Sequence, residues 1–469
     1  SDPWFAAYVG ATATPAYPFE SPAEPADRNV VLSFIVAAGP ARCEASWGGY
    51  YSPEEAQTKL DLDRRIARLR QSNGEVVVSF GGQANSELAL ACDTPADLAA
   101  EYARVIERYQ PAAIDLDIEG PALADVASRA RRALALAALQ ADQEQHLPVW
   151  LTLPVGPDGL TADGVATVQS FLDAGVRLDG VNAMTMNFAS ADAAAAPSAV
   201  AAASLTATHR QLVAIYADRG QAIGARTAWR MIGATPMIGQ NDVTAETFTL
   251  DDARSLRAFA ETNQLGRLSM WSANRDSSCA TAYVDLSVVS DSCSGVDQGE
   301  ERFAAVLGAG FTGAPAGSQG GVTAAPTVRP EEIADDPETS PYPVWDSEAS
   351  YPAETRVVWR RNVYEAKWWS TNAQPDDPRI APADSPWRLI GPVLPGEKPV
   401  PLLELPDDFY PAWKPKTIYV QGQRIMLDGV AFEAKWWTQG DNPASGQADP
   451  GSSPWRTLTQ EEIAKLLED

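Results

Sequence analysis

The sequence predicts an α/β protein, a (β/α)8 TIM barrel followed by two small all-β modules. Three observations lead there. Eight short apolar runs alternate with helical patterns over about the first 310 residues. The fourth run belongs to "AAIDLDIEG", Ala112 to Gly120, where Asp115, Asp117 and Glu119 alternate with Ile114, Leu116 and Ile118. Past Phe311 the composition shifts, and an aromatic-rich motif then occurs twice, 68 residues apart.

The eight strand candidates are "WFAAYV" (4–9), "VVLSFIV" (30–36), "EVVVSF" (75–80), "AAIDLDI" (112–118), "VWLTLPV" (149–155), "LDGVNAMTM" (178–186), "AWRMIG" (228–233) and "GRLSMW" (266–271). Their Val, Ile and Leu content suits parallel strands buried on both faces. The segments between them read as helices. In "TPADLAAEYARVIERY", Thr94 can cap, Pro95 fits the first helical position, and Asp97 lies in the acid-favouring first turn. Leu98, Tyr102, Val105, Ile106 and Tyr109 share one helical face, and Gln110-Pro111 stops the helix before the acidic strand. An open doubly wound sheet is the competing architecture. No GxGxxG follows the first strand, which favours the barrel.

The expected boundaries are a barrel over 1–312, a flexible Gly/Pro-rich linker over 313–340, one module over 341–392, a Pro-rich connector over 393–409 and a second module over 410–458. Each module is aromatic-dense and only about 50 residues long. A unit that small has little interior, so some of its aromatics must lie at the surface.

The 469 residues carry a net charge of −26. That argues against nucleic acid and anionic membranes as partners, because both require basic patches; a neutral ligand is compatible. Cys43, Cys92, Cys279 and Cys293 show no CxxC spacing, which makes a zinc site unfavoured and disulfides expected. Three pairings exist, and Cys43–Cys92 with Cys279–Cys293 is preferred. Disulfides imply an oxidising compartment. No apolar run reaches the length of a membrane span. The start "SDPW" reads as a mature secreted form whose signal has been removed.

On a strand, residues i, i+2 and i+4 share a face. Asp115, Asp117 and Glu119 therefore point together into the barrel, with Glu119 nearest the C-terminal mouth where barrel active sites lie. Three acids this close cannot all ionise cheaply, so a proton stays among them near neutral pH. A protonated carboxyl at the mouth can donate to a leaving-group oxygen, which is what glycosidic cleavage requires. A magnesium site and a solvated edge strand are the alternatives, and the Ile-Leu-Ile face argues against the second.

These residues resemble the family 18 glycoside hydrolases, the chitinases. "AIDLDIE" supplies their fourth-strand DxxDxDxE except for its first Asp, where Ala112 stands. "SFGG" (Ser79 to Gly82) matches their SxGG, "MTMNF" (Met184 to Phe188) sits where they carry a motif after the sixth strand, and "MWSANRD" places Trp271 at the end of the eighth. "TLP" (Thr152 to Pro154) and "TPMIGQNDV" (Thr235 to Val243) resemble a bacterial branch. The resemblance covers residues 4–308.

It implies roles. Glu119 is the general acid; the substrate's own 2-acetamido oxygen attacks the anomeric carbon; Asp117 orients that group, and Asp115 shares a proton with Asp117. Trp271 floors the reacting subsite, while Met184, Met186 and Asn187 line the acetamido pocket. No metal and no cofactor are implied. Asn187 replaces a more usual Asp, which removes a charge. Gly81 and Gly82 either border substrate or only allow a tight backbone. Trp47, in "SWGGY", is either a groove wall or a cover for the loop at Cys43. His146 and His209 are the only histidines and read as solvated, against a His triad or His-ligated metal. Only about 32 residues separate Gly233 from Gly266, too few for an inserted domain, so a shallow, open groove and endo-type cutting are expected.

The repeats share "AKWW" and "SPWR" and resemble chitin-binding modules of family 5/12. Trp369 and Trp437 are the expected surface contacts, with Trp368 and Trp436 close behind, and Trp387 and Trp455 are expected in the cores. The alternative is a protein–protein adaptor. The sequence thus reads as a secreted, monomeric, retaining endo-chitinase that binds chitin and N-acetylglucosamine oligomers. A non-catalytic chitin lectin and an endo-β-N-acetylglucosaminidase are the rivals; Glu119 opposes the first and the paired modules the second.

Overall fold

The first strand is built in two short segments, Trp4–Phe5 and Ala7–Gly10, and this is what closes the sheet. Trp4–Phe5 pairs in parallel with the eighth strand, Arg267–Leu268, and Ala7–Gly10 pairs with the second, Asn29–Gly39. Across the break, Ala6 N–H donates to Leu268 O and Tyr8 N–H to Met270 O. The remaining strands follow in sequence order, all parallel: Glu75–Gly81, Ala113–Asp117, Val149–Gly156, Gly180–Met184 and Ile232–Thr235. The result is an eight-stranded parallel barrel wrapped by helices. In this computed structural model the described residues are 2–142, 146–189, 195–280, 289–317, 334–445 and 452–468. Most of the expected 313–340 linker lies outside them.

Alternation along the strands separates two cores. Ile114, Leu116 and Ile118 join the outer layer, packed beneath helices such as Pro95–Tyr109. In that helix Thr94 accepts from Asp97 N–H, and its buried residues are Leu98, Tyr102, Val105, Ile106 and Tyr109. The barrel interior holds a smaller apolar set, Trp4, Ala6, Tyr8, Val31, Val77, Ala113 and Trp150, with Phe34 and Trp271 against it.

Two expectations about elements need correction. The run 228–233 is not all strand: Ala225–Arg230 is helical, and the seventh strand begins at Ile232. Trp229 explains the difference, because it stacks on His209 at 4.2 Å and meets Phe259 edge-on at 5.8 Å. Packing between helices thereby overrides the local strand-like pattern. The sequence reading also missed the strand Arg42–Trp47, which folds back antiparallel on the second strand. The cysteines pair as Cys43–Cys92 and Cys279–Cys293, with Cα–Cα distances of 4.5 and 5.0 Å.

Thr323–Asp469 forms a second compact unit. Both repeats have the same plan. In the first, a three-stranded antiparallel sheet (Arg356–Trp359, Asn362–Ala366, Trp387–Pro392) accompanies a two-stranded one (Ser350–Tyr351, Ser370–Thr371). In the second, Arg424–Leu427, Val430–Ala434 and Trp455–Thr457 accompany Ile418–Tyr419 and Thr438–Gln439. Trp387 and Trp455 are buried, and their indole N–H groups donate to Ala373 O and Asp441 O. The second repeat alone continues into a helix, Gln460–Glu468, whose Ile463 and Leu466 pack with Leu405, Met426 and Leu458. Among the described residues no helix is long and apolar enough to cross a membrane.

Candidate active site

Asp115 lies wholly buried in the barrel interior, where a bare carboxylate would be costly. It is fully provided for. Arg267 Nη1 donates to it at 2.6 Å, Ser79 Oγ and Thr152 Oγ1 at 2.7 Å, and Tyr8 Oη at 2.8 Å. Arg267 is equally buried and lies against the rings of Trp4, Tyr8 and Trp150. Asn182 extends the network, donating to Thr152 Oγ1 and Thr235 Oγ1. Burial keeps the Tyr8 phenol protonated, so it acts as a donor. No hydrogen bond joins Asp115 to Asp117 among the described residues; Asp115's acceptor capacity is taken up by this ring of donors, which corrects the expectation of a proton shared between the two.

Asp117, one pleat nearer the mouth, is nine-tenths buried, and its Oδ1 has no partner. Burial, followed by the charges of Glu119 and Asp115, pushes its carboxyl well above the usual carboxylate range, while Arg267 opposes the shift weakly. Asp117 is therefore the carboxyl of this strand that its surroundings incline most toward the protonated form. Its backbone explains the two glycines before it. Gly81 sits at φ +105°, and a Cβ there would come within 2.0 Å of Asp117 O. Gly82 N–H donates to that same oxygen at 3.1 Å. The glycines let the third strand's end close on the fourth; they act through backbone.

Glu119 leaves the strand and stands half-buried at the start of the short helix Gly120–Ala124. Its carboxyl is raised above the usual value, first by burial and then by the negative charge of Asp242. The sequence reading did not single out Asp242. It belongs to the hairpin Gly239–Gln240/Thr247–Phe248, which with the helix Leu250–Asn263 occupies the interval between strands seven and eight. Asn187 holds it there: Asn187 Nδ2 donates to Asp242 Oδ2 at 2.9 Å, and Asn187 Oδ1 accepts from Val243 N–H at 3.0 Å. Both ends of that amide are therefore engaged with the hairpin, so in this state Asn187 positions Asp242 and does not present a free amide to a pocket.

Trp271 is half-buried at the end of the eighth strand, stacked on Phe34 at 5.6 Å with ring planes 14° apart. Met184, the last residue of strand six, and Met186, just beyond it, are half-buried. Trp47 is corrected as a groove wall: it is 0% exposed and its indole N–H donates to Tyr109 Oη at 2.9 Å. It anchors a loop and touches no solvent. His146 bridges Asp179 and Arg177, and among the described residues no three His, Cys, Asp or Glu side chains gather closely enough to hold a metal ion.

Known proteins share this barrel. The catalytic domain of a hyperthermophilic chitinase from Pyrococcus furiosus superposes with a TM-score of 0.58 at 28% identity, covering 67% of this chain and 97% of that one. The barrel is similar to that catalytic domain over almost the whole of the latter's length. A probable bifunctional chitinase/lysozyme of Escherichia coli K12 is 34% identical over 260 residues, 53% of this chain and 28% of that protein. Endochitinase 11 of Metarhizium anisopliae is 34% identical over 223 residues, 45% of this chain and 42% of its own length. The chain thus spans less than half of either curated relative. Carbohydrate-binding module family 5/12 matches residues 412–456, within the second repeat.

In that matched module Trp436 and Trp437 are 44% and 59% exposed, and Lys435 lies over the Trp436 ring. The first repeat differs. Trp368 and Trp369 are half-buried, and Trp369 lies 6.4 Å from Phe432, packed on the second repeat's core. This corrects the expectation that Trp369 is a free surface contact.

Proposed function

We propose that the barrel hydrolyses β-1,4 links between N-acetylglucosamine units of chitin, internally and with retention of configuration. The observation that carries this reading is Glu119, half-buried at the mouth with its carboxyl raised, one pleat from the protonation-prone Asp117. Glu119 gives its proton to the glycosidic oxygen as the bond to the anomeric carbon breaks. The neighbouring acetamido oxygen of the same sugar attacks that carbon, forming an oxazolinium ion. Asp117 Oδ1, which lacks a protein partner, is the acceptor for the acetamido N–H and so aims the acetamido oxygen at the carbon. Positive charge developing on the ring offsets the crowding of carboxylates around it. Water then attacks from the face the leaving group vacated, Glu119 takes its proton, and the β-anomer is released.

Asp115 and Arg267 fix the direction of the stack without touching sugar. Trp271, backed by Phe34, forms the floor. The small hairpin between strands seven and eight adds no wall of domain size, which supports an open groove and internal cutting. Chitin binding by the second repeat adds local concentration on an insoluble surface. Two disulfides support secretion into an oxidising medium.

The test is wild type against Glu119→Gln on chitin oligomers, with anomers resolved by NMR. Loss of a general acid lowers turnover by roughly 10²–10⁴-fold. Near-normal turnover removes Glu119 from its role, and initial α-anomer excludes the acetamido route.

A further inference from the structure

We propose that Tyr50 is an aromatic platform of the groove, a sugar subsite on the rim above strands one to three. The inference deepens the chitin reading and rests on it for the ligand's identity.

Among the described residues Tyr50 is the most exposed large apolar side chain, at 75%. A single exposed aromatic needs no special account in itself. The support beneath this one sets it apart. Tyr50 tips a turn closed by Trp47 N–H donating to Tyr51 O at 2.7 Å and Tyr50 N–H to Trp47 O at 2.9 Å. Gly48 and Gly49 take φ +61° and +79°, conformations that side chains rarely adopt. Trp47 pins the base through Tyr109, and the Cys43–Cys92 disulfide ties down the strand leading into it.

Three anchors place the turn. Gly48 N–H donates to Phe34 O at 2.9 Å, and Gly48 O accepts from Asn85 Nδ2 at 3.0 Å. A Cβ on Gly48 would lie 2.8 Å from Thr12 Oγ1. Thr12 follows the first strand, Phe34 lies within the second, and Asn85 follows the glycines of the third, so the turn sits over the mouth. Phe34 is also the ring under Trp271, which puts the turn one residue away from the indole that floors the site. The chain thus invests a buried tryptophan, a disulfide and two left-handed glycines in holding one phenol ring out in water. The Tyr51 ring lies 6.3 Å from it at a 46° tilt and Gly48 lies against one edge, yet Tyr50 stays 75% exposed, with ring surface open to solvent. A pyranose offers a flat set of C–H bonds that stacks on such a face while its hydroxyls stay in water. A chain lying across Trp271 and continuing over the loops of strands one to three meets Tyr50 next.

The experiment titrates the catalytically silenced Glu119→Gln chain with N-acetylglucosamine trimer and hexamer by calorimetry. Adding Tyr50→Ala weakens hexamer binding about three- to tenfold and trimer binding less, the scale of one aromatic stacking contact. Tyr50→Phe retains the affinity, because stacking uses the ring and not the hydroxyl. Unchanged hexamer affinity in Tyr50→Ala overturns the proposal, as does a Phe variant as weak as the Ala one or a Glu119→Gln chain that binds no hexamer. Wild-type turnover of the same hexamer reads the hydrolytic assignment separately. A wild type that binds through Tyr50 yet cleaves nothing sinks that assignment and upholds the platform.

Discussion

Asp115 and Trp437 differ sharply in exposure: the carboxylate is wholly buried inside the barrel, while the indole on the second repeat is 59% exposed. Each is costly where it lies, the first for want of water and the second for contact with it. The barrel resolves its cost internally, with four donors around one carboxylate. The repeat is too small to bury every aromatic, and on the proposed function chitin is what covers the ring. The proposed chemistry therefore lies where polar groups crowd in a dry interior, and the proposed surface binding where a small fold runs out of interior. Trp369 sharpens the contrast. It carries the same "AKWW" signature as Trp437, yet Phe432 of the neighbouring repeat covers it.

The largest effect that would break this comparison lies in the interior. Arg267→Met takes from Asp115 its buried guanidinium partner, and should cost about 3–5 kcal/mol of barrel stability, read by urea unfolding. A loss below 1 kcal/mol would mean that the carboxylate does not depend on its ring of donors. Next come the repeats. Trp437→Ala should weaken adsorption to insoluble chitin about three- to tenfold and leave stability unchanged. Trp369→Ala should do the reverse, lowering stability by about 1 kcal/mol with a smaller change in adsorption. Equal adsorption losses would show that both indoles face the ligand and would erase the distinction drawn here.

The smallest effect concerns pH. Asp242 faces Glu119 and raises its carboxyl, so the protonated acid persists to higher pH than an ordinary glutamate would allow. In the proposed mechanism activity requires that proton and is lost as pH rises through the raised value. Asp242→Asn removes the like charge, lowers the Glu119 value and moves the alkaline limb of the pH–rate profile to lower pH. A limb that stays in place would mean that burial alone holds the proton on Glu119.

Much of this was legible in the chain. Period-two alternation put Asp115 and Asp117 on one face, and capping residues marked the helix before them. The cysteines left three pairings open in the chain, and the preferred one, Cys43–Cys92 with Cys279–Cys293, is the one that forms. Other parts were not. Arg267 is a lone charge inside an apolar run, a signal that could have been read as a buried partner for Asp115. Its mate, however, lies 152 residues away on a strand across the barrel. Asp242 sits in an ordinary polar loop, and only the hairpin and Asn187 bring it to Glu119. Trp47 was ambiguous because a tryptophan beside two glycines suits a groove wall and a loop anchor equally well.

By itself the sequence determined the periodicities: which residues alternate into a barrel, which acids share a face, and which motif recurs. Those are properties of neighbouring residues, and local geometry transmits them directly. The tertiary structure alone decided which groups meet across the barrel, which of two identical tryptophans is covered, and that Tyr50 rather than Trp47 reaches solvent. Those outcomes depend on distant segments competing for the same limited interior, and no spacing along the chain encodes who wins.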